Sequence, residues 1–342
     1  MGEPVNRRRL PLLLLVALLL LGTAFLVFAR QAPGPGTFLA WIATWFGGPA
    51  IEPADAFVFG QMRLPRLLVA MFGGASLALA GAVMQATFRN PLASPDLVGT
   101  AAGAAFGGAS TIVFGLAAAH VLMVPLGSLV GATTVTGLVF VLAQSHGRFQ
   151  VATLLLAGIA LHTLVGALTA FVVTFTYDNY TASSRVLFWL MGGLDDRTWA
   201  NAWITIGGFV LFGALVVPRA RELDLLTLHD DSAHSLGVDA ARARRWLVWY
   251  ACGLTAATVA NTGGIAFVGL VVPHLARLLV GPAHALLLPT AALLGAVLLV
   301  GSDLACRLVP PDWNLRLGVV TALFGAPYFL VLLARHRRGE EL

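Results

Sequence analysis

The chain has 342 residues, of which 58% are apolar and only 11% charged, and its mean hydropathy is +0.85. Soluble domains carry roughly 25% charged residues, so this composition excludes a soluble protein and leaves an integral membrane protein with a single membrane domain spanning 1–342. The net charge of +5 does not indicate a nucleic-acid partner, because the arginines gather at the ends of apolar runs rather than along one stripe.

The first segment, RRRLPLLLLVALLLLGTAFLVFAR, has the basic flank and apolar core of a signal peptide. Its apolar part nevertheless runs for about 20 residues with no small-x-small cleavage site after it, so it reads as a retained first span. Apolar runs set against breakers place ten spans in all, at 10–29, 64–87, 97–117, 120–143, 151–176, 198–218, 246–262, 264–280, 285–305 and 317–334. Between the second and third lies RNPLASPDLVG (89–99). Asn90, Pro91, Pro95 and Asp96 are costly in hydrocarbon, so the stretch is either an ordinary turn or irregular backbone placed where something must pass. Residues 97–147 contain no Asp, Glu, Lys or Arg, which suits two spans and a tight turn near His120. The stretch 183–196 reads as a short amphipathic helix on the external side. The longest polar segment, 219–245, predicts two short helices on the cytoplasmic side, with Asp and Ser starting and Gly ending the second. It is built either to contact another protein or as a solvated connection. The pair at 246–280 is interrupted by NTGG, which leaves both members short and open to a re-entrant reading.

Alternating the spans from a cytoplasmic N-terminus puts twice as many arginines inside as outside, in keeping with the bias of cytoplasmic loops. Both termini are then cytoplasmic, and Arg63, Arg66 and Arg307 face out. Small residues dominate 73–82, 99–110 and 127–137, where they allow close helix approach. Cys252 and Cys306 have no metal-ligand spacing and read as buried small hydrophobes. Asp303 and Arg307, four apart, predict a pair on one helix face. His162 reads as a packing histidine, and no acid is expected deep in a span. The chain contains no lysine, hence no P-loop, and no catalytic motif or cofactor site. If ATP drives this protein, another polypeptide hydrolyses it.

The run RLPRLLVAMFGGASLALAGAVMQATFRNPLASPDLVGTAAGAAFG (63–107) resembles the signature of the FecCD-type permeases, the membrane subunits of bacterial ABC importers for ferric siderophores, haem and cobalamin. AHSLGV (233–238), GGIAFVGLVVPHLARLLVG (263–281) and GVVTALFGAPYFLVLLAR (318–335) match in the same order. The resemblance implies an all-α, ten-span bundle of the type II ABC importer permease fold in the bacterial inner membrane. It implies a second permease subunit, identical or related, two ATP-binding subunits inside, and a periplasmic or lipid-anchored substrate-binding protein outside. By position, Arg63, Arg66 and Arg307 match arginines that dock the binding protein, and Asn90 and Leu92 match a cytoplasmic gate. Asp230, Asp231, Ala233, Leu236 and Gly237 match the helices that couple to the ATPase. A ferric siderophore is the expected cargo, with haem or cobalamin the alternative.

Two departures stand out. Asn314 and Arg316 occupy positions where the family often has Glu and Pro, so Arg316 adds to the outer charges, and His229 replaces a common Gly. A faint echo between 73–83 and 252–262 points to an inverted repeat. Readings from other classes, an ion-coupled carrier working alone or a membrane enzyme, lack buried acids in the first case and a nucleophile in the second.

Overall fold

The computed structural model describes residues 9–28, 33–145, 148–149, 151–176, 179–228 and 230–337. His229 and the side chains of Asp230 and Asp231 lie outside the described residues. Helix α1 (Leu10–Val27) packs at the edge of the bundle and is followed by two short helices, α2 (Pro35–Thr44) and α3 (Pro53–Phe57). A π-helical stretch, Val58–Arg63, leads without a break into α4 (Leu64–Phe88). Then come the hairpin of α5 (Thr100–Val113) and α6 (Met123–Ala143), followed by α7 (Val151–Thr174), α8 (Tyr180–Leu190) and α9 (Trp199–Val216). The short α10 (Ala220–Leu226) and α11 (Asp230–Ser235) precede the last four, α12 (Ala240–Thr262), α13 (Val268–Val280), α14 (His284–Leu308) and α15 (Leu317–Arg337).

The ten longest helices coincide with the ten apolar runs, and the fold is an all-α membrane bundle. Among the described residues, six elements are long and apolar enough to cross a bilayer by themselves. Helix α12 has 23 residues but opens on Arg242, Arg244 and Arg245, which lowers its hydropathy. This corrects the reading of 246–280 as two short members: only α13, at 13 residues, is short. The reason is local. Asp239 caps α12 by accepting from the Arg242 N–H at 3.0 Å, so the helix starts before its arginines. The polar connection predicted over 219–245 narrows accordingly, because 240–245 belong to α12 and Val217–Arg219 continues α9 toward α10. Helix α8 also begins earlier than expected, where Asn179 accepts from the Ala182 N–H at 3.1 Å, and it ends before Gly192.

Helix α4 is the axis of the bundle, with nearly every side chain from Gly73 to Thr87 buried. Its small residues let other helices come to backbone contact. A methyl group added at Gly74 would collide with the Gly295 carbonyl of α14, and one at Gly103 of α5 with the Gly131 carbonyl of α6. Between these close approaches, Asn201 of α9 donates to Asn261 of α12 at 3.0 Å, and Gln85 of α4 to the Leu270 carbonyl of α13 at 2.9 Å.

Helices α4 and α12 run in opposite directions. Each is followed by an irregular segment, 89–99 or 263–267, and then by a short helix, α5 or α13. The sequence echo between 73–83 and 252–262 falls on these two helices, with Gly73 near the start of α4 beside Thr258 and Thr262 at the end of α12. The segment 89–99 does not stay at the end of α4. Pro95 and Asp96 share a cavity with Leu77, near the midpoint of the 25-residue α4, so the chain folds back to mid-depth before α5 begins. An ionisable group at this depth overturns the expectation that none is present.

Candidate docking, gating and coupling sites

At one end of the bundle, charged residues surround a cavity of about 730 Å³ lined by five arginines and three aspartates. Arg66, on the first turn of α4, grips Asp303 of α14 with both arms of its guanidinium: Nε to Oδ2 at 2.7 Å and Nη2 to Oδ1 at 2.8 Å. Its third nitrogen donates to Asp195 at 2.9 Å, and Arg316 donates to the other oxygen of Asp195 at 2.7 Å. The predicted Asp303–Arg307 pair is thus replaced by Arg66–Asp303. Asp303 is 1% exposed, and a planar fork that meets both of its oxygens outcompetes a single contact along one helix. Arg307 turns instead to the Phe25 carbonyl at 2.9 Å, with its guanidinium over the Phe25 ring.

Arg63 is separated from Arg66. It is 5% exposed and donates to the Leu26 carbonyl at 2.6 Å, tying the start of α4 to the end of α1. Arg197, in the segment after α8, is pulled below the ordinary arginine range by burial, with Asp195 and Asp196 acting against the shift. The exposed edge of the cluster belongs to Asp195, with Arg66 and Arg316 partly accessible beside it.

The opposite end of α4 carries the predicted gate. Arg89 adopts a left-handed conformation at φ 50°, ending the helix, and Asn90 Oδ1 accepts from the Leu92 N–H at 2.9 Å to form a side-chain-closed turn. Asn90 and Leu92 are exposed, and Ala93 behind them is buried. The same turn touches the connection between α9 and α12: Arg89 Nε donates to the Leu226 carbonyl at 2.8 Å, the last residue of α10.

The connection itself is two short helices, as expected. Ala233 anchors α11 with no exposure, while Leu236 projects at 54% and Gly237 closes the helix at φ +84°. Helix α10 is fastened to α14. Asp224 Oδ1 accepts from the backbone N–H of His284 at 2.9 Å and lies 2.6 Å from its ring Nδ1, so a residue of α10 caps the start of α14. Two rigid elements, α4 and α14, therefore run from the arginine cluster at one end to the α10–α11 elbow at the other.

That arrangement agrees with what the chain is similar to. Residues 12–335 match the profile of the FecCD transport family. The chain belongs to this family. It is 40% identical to the cobalamin import system permease protein BtuC of Halobacterium salinarum over 90% of this chain and 81% of that protein. It is 36% identical to the Fe(3+) dicitrate transport system permease protein FecD of Escherichia coli, over 96% of this chain and 100% of that one. The hemin transport system permease protein HmuU of Yersinia pestis is likewise 36% identical, over 98% of this chain and 100% of its own length. Among solved structures, an inward-facing metal-chelate type ABC transporter superposes with a TM-score of 0.84 at 31% identity, over 96% of this chain and 99% of that chain.

The protein is thus a membrane-spanning permease of a type II ABC importer, not itself an enzyme, and its family works with separate ATPase and substrate-binding proteins. Family membership, rather than any lack of buried acids, is what sets aside a carrier working alone. Several groups of consequence escaped the sequence reading. Asp195, Asp224 and His284 find partners 60 or more residues away, and no local pattern marks them.

Proposed function

We propose that this permease carries a ferric siderophore across a bacterial inner membrane, with the arginine cluster outside and both termini in the cytoplasm. A second permease subunit, identical or related, completes the path. The observation that carries the reading is the placement of the two charged regions at opposite ends of α4 and α14, which gives a binding protein and an ATPase separate faces. On the outer face, Arg66 and Arg307, with Arg63 holding the start of α4 in place and Arg316 alongside, receive the acidic surface of a binding protein. On the inner face, Asn90 and Leu92 close the path. The α11 segment of Asp230, Asp231, Ala233, Leu236 and Gly237 seats on one of two ATPase subunits.

Iron is the cargo named for FecD, and hemin, an iron chelate, for HmuU. The 40% identity with a cobalamin permease supports a second reading, cobalamin or haem. The test is uptake into proteoliposomes holding the permease, its ATPase and its binding protein, with each chelate offered separately. ATP-dependent accumulation of a ferric siderophore supports the first reading, and accumulation of cobalamin or haem alone supports the second. Uptake by the permease without its partners rejects both.

A further inference from the structure

Asp96 belongs neither to the arginine cluster nor to the elbow. It sits in the short 3-10 turn Pro95–Val98 at mid-depth, in the wall between two cavities. The larger, about 670 Å³, is bounded by the start of α5, the end of α8, the 264–266 segment and α15. Asp96 is its one ionisable lining residue among the described residues; the rest are apolar or glycine. The smaller, about 160 Å³, shares Asp96 with Leu77 of α4 and Thr255 of α12.

The carboxylate is half-buried, and no hydrogen bond or ion pair to a described residue occupies it. His162 is exposed on α7 rather than packed, which corrects the sequence expectation.

A carboxylate kept for packing at this depth needs a partner, as Asp303 has in Arg66. Asp96 has none of that kind, yet it faces open space. Ionisable side chains inside a membrane bundle are costly and concentrate where a path or cargo meets them. Apolar walls with one polar group that fixes orientation are also the usual composition of a small-molecule site. We propose that Asp96 is a cargo-contacting carboxylate of the translocation path, receiving ammonium, amide N–H or hydroxyl donors on the organic shell of a metal chelate. The inference rests on the permease reading above and deepens it. The apolar wall of α15 takes the hydrocarbon of the chelate, and Asp96 selects for a donor-bearing edge.

Two measurements on the full chain, assembled with its ATPase and binding protein, test this. In a background of Cys252→Ala and Cys306→Ala, Ala322→Cys places a thiol on the α15 wall of the same cavity. Its rate of modification is compared for a cationic and an anionic thiosulfonate reagent of equal size. With Asp96 present the cationic reagent is expected to react about tenfold faster, and Asp96→Asn should remove most of that preference. A preference unchanged by Asp96→Asn overturns the proposal. This readout needs no cargo, so it stands apart from the outcome of the siderophore test.

The second measurement compares uptake of a linear ferric trihydroxamate bearing a free ammonium with the same chelate acetylated at that amine. Asp96→Asn should lower uptake of the first at least threefold more than that of the second. An equal loss for both overturns cargo contact. No uptake of either chelate by the unaltered complex counts against the siderophore reading, and the thiol readout still decides whether Asp96 charges the path.

Discussion

Asp224 and His284, on different helices and 60 residues apart, are joined twice: the Asp224 carboxylate accepts from the His284 backbone N–H and meets its ring. Helix α14 has no capping side chain of its own at Ala283, so the elbow helix α10 supplies it. A displacement of α10 by a partner therefore pulls directly on the start of α14, whose far end holds Asp303. Asp224→Ala is expected to cost about 1 kcal/mol through the lost cap and to lower uptake per ATP hydrolysed by about threefold. Asp224→Asn keeps an acceptor for the backbone N–H and should retain most of the stability. Thermal unfolding in detergent and coupled uptake assays measure the two effects separately. Unaltered coupling in Asp224→Ala would remove α14 from the transmission route.

The fork of Arg66 on Asp303 makes a different kind of demand. Asp303 is 1% exposed, and removing its partner leaves a buried charge without compensation. Arg66→Ala should destabilise the protein by about 3–5 kcal/mol. Replacing both members by apolar residues of similar volume, Arg66→Met with Asp303→Leu, should recover most of that loss, since the desolvation of two charges is then avoided. The double variant should still dock a binding protein less well, because one of the two partly accessible arginines beside Asp195 is gone. Denaturation curves and binding-protein affinity read the two consequences independently. A double variant no more stable than Arg66→Ala would show that the fork is not what holds the two helix ends.

The same cluster shows how far the sequence can be read. Helix positions were legible because apolar runs of span length leave few alternatives, and Asp239 and Asn179 mark helix starts through a local cap. The motif RNPLASPDLVG announced irregular backbone by its Pro and Asn residues, and its family likeness named the permease. What stayed hidden was pairing across distance. Asp303 had a good local candidate in Arg307, and only three-dimensional packing brings Arg66, 237 residues away, into a better geometry. Asp96 was hidden for a related reason. From sequence it lies between spans, and nothing local says that the chain turns back to the level of Leu77.

Glycines in the bundle divide into those that touch backbone and those that touch nothing, which gives opposite signs for one type of substitution. Gly103 faces the Gly131 carbonyl, whereas Gly137 of α6 has open space where a methyl would go. Gly103→Val should force α5 and α6 apart and cost about 1–3 kcal/mol or more, seen as a loss of monodisperse protein after extraction. Gly137→Ala should stabilise by about 0.5–1 kcal/mol, because alanine restricts the unfolded helix segment without meeting a neighbour. Equal effects at the two sites would mean that α5 and α6 do not make the close contact seen here.

The elbow offers the most direct test of how force enters the molecule. Ala233 is fully buried and fixes α11 to the bundle, while Leu236, three residues on, is 54% exposed in the turn that ends this short helix. A large apolar side chain held outward on a fixed base is suited to seat in a partner's groove. Leu236→Asp removes that contact without touching the anchor, so membrane insertion and unfolding temperature should stay unchanged. Uptake per ATP hydrolysed should fall by about tenfold or more, an interface loss of roughly 1.4 kcal/mol or above. Gly237→Arg acts otherwise. At φ +84° a side chain is strained, so the α11 terminus should shift at a cost of about 1 kcal/mol, adding a stability loss that Leu236→Asp lacks. If Leu236→Asp transports with normal efficiency, the ATPase seats elsewhere, and the exposed turn after Arg89 becomes the next surface to probe.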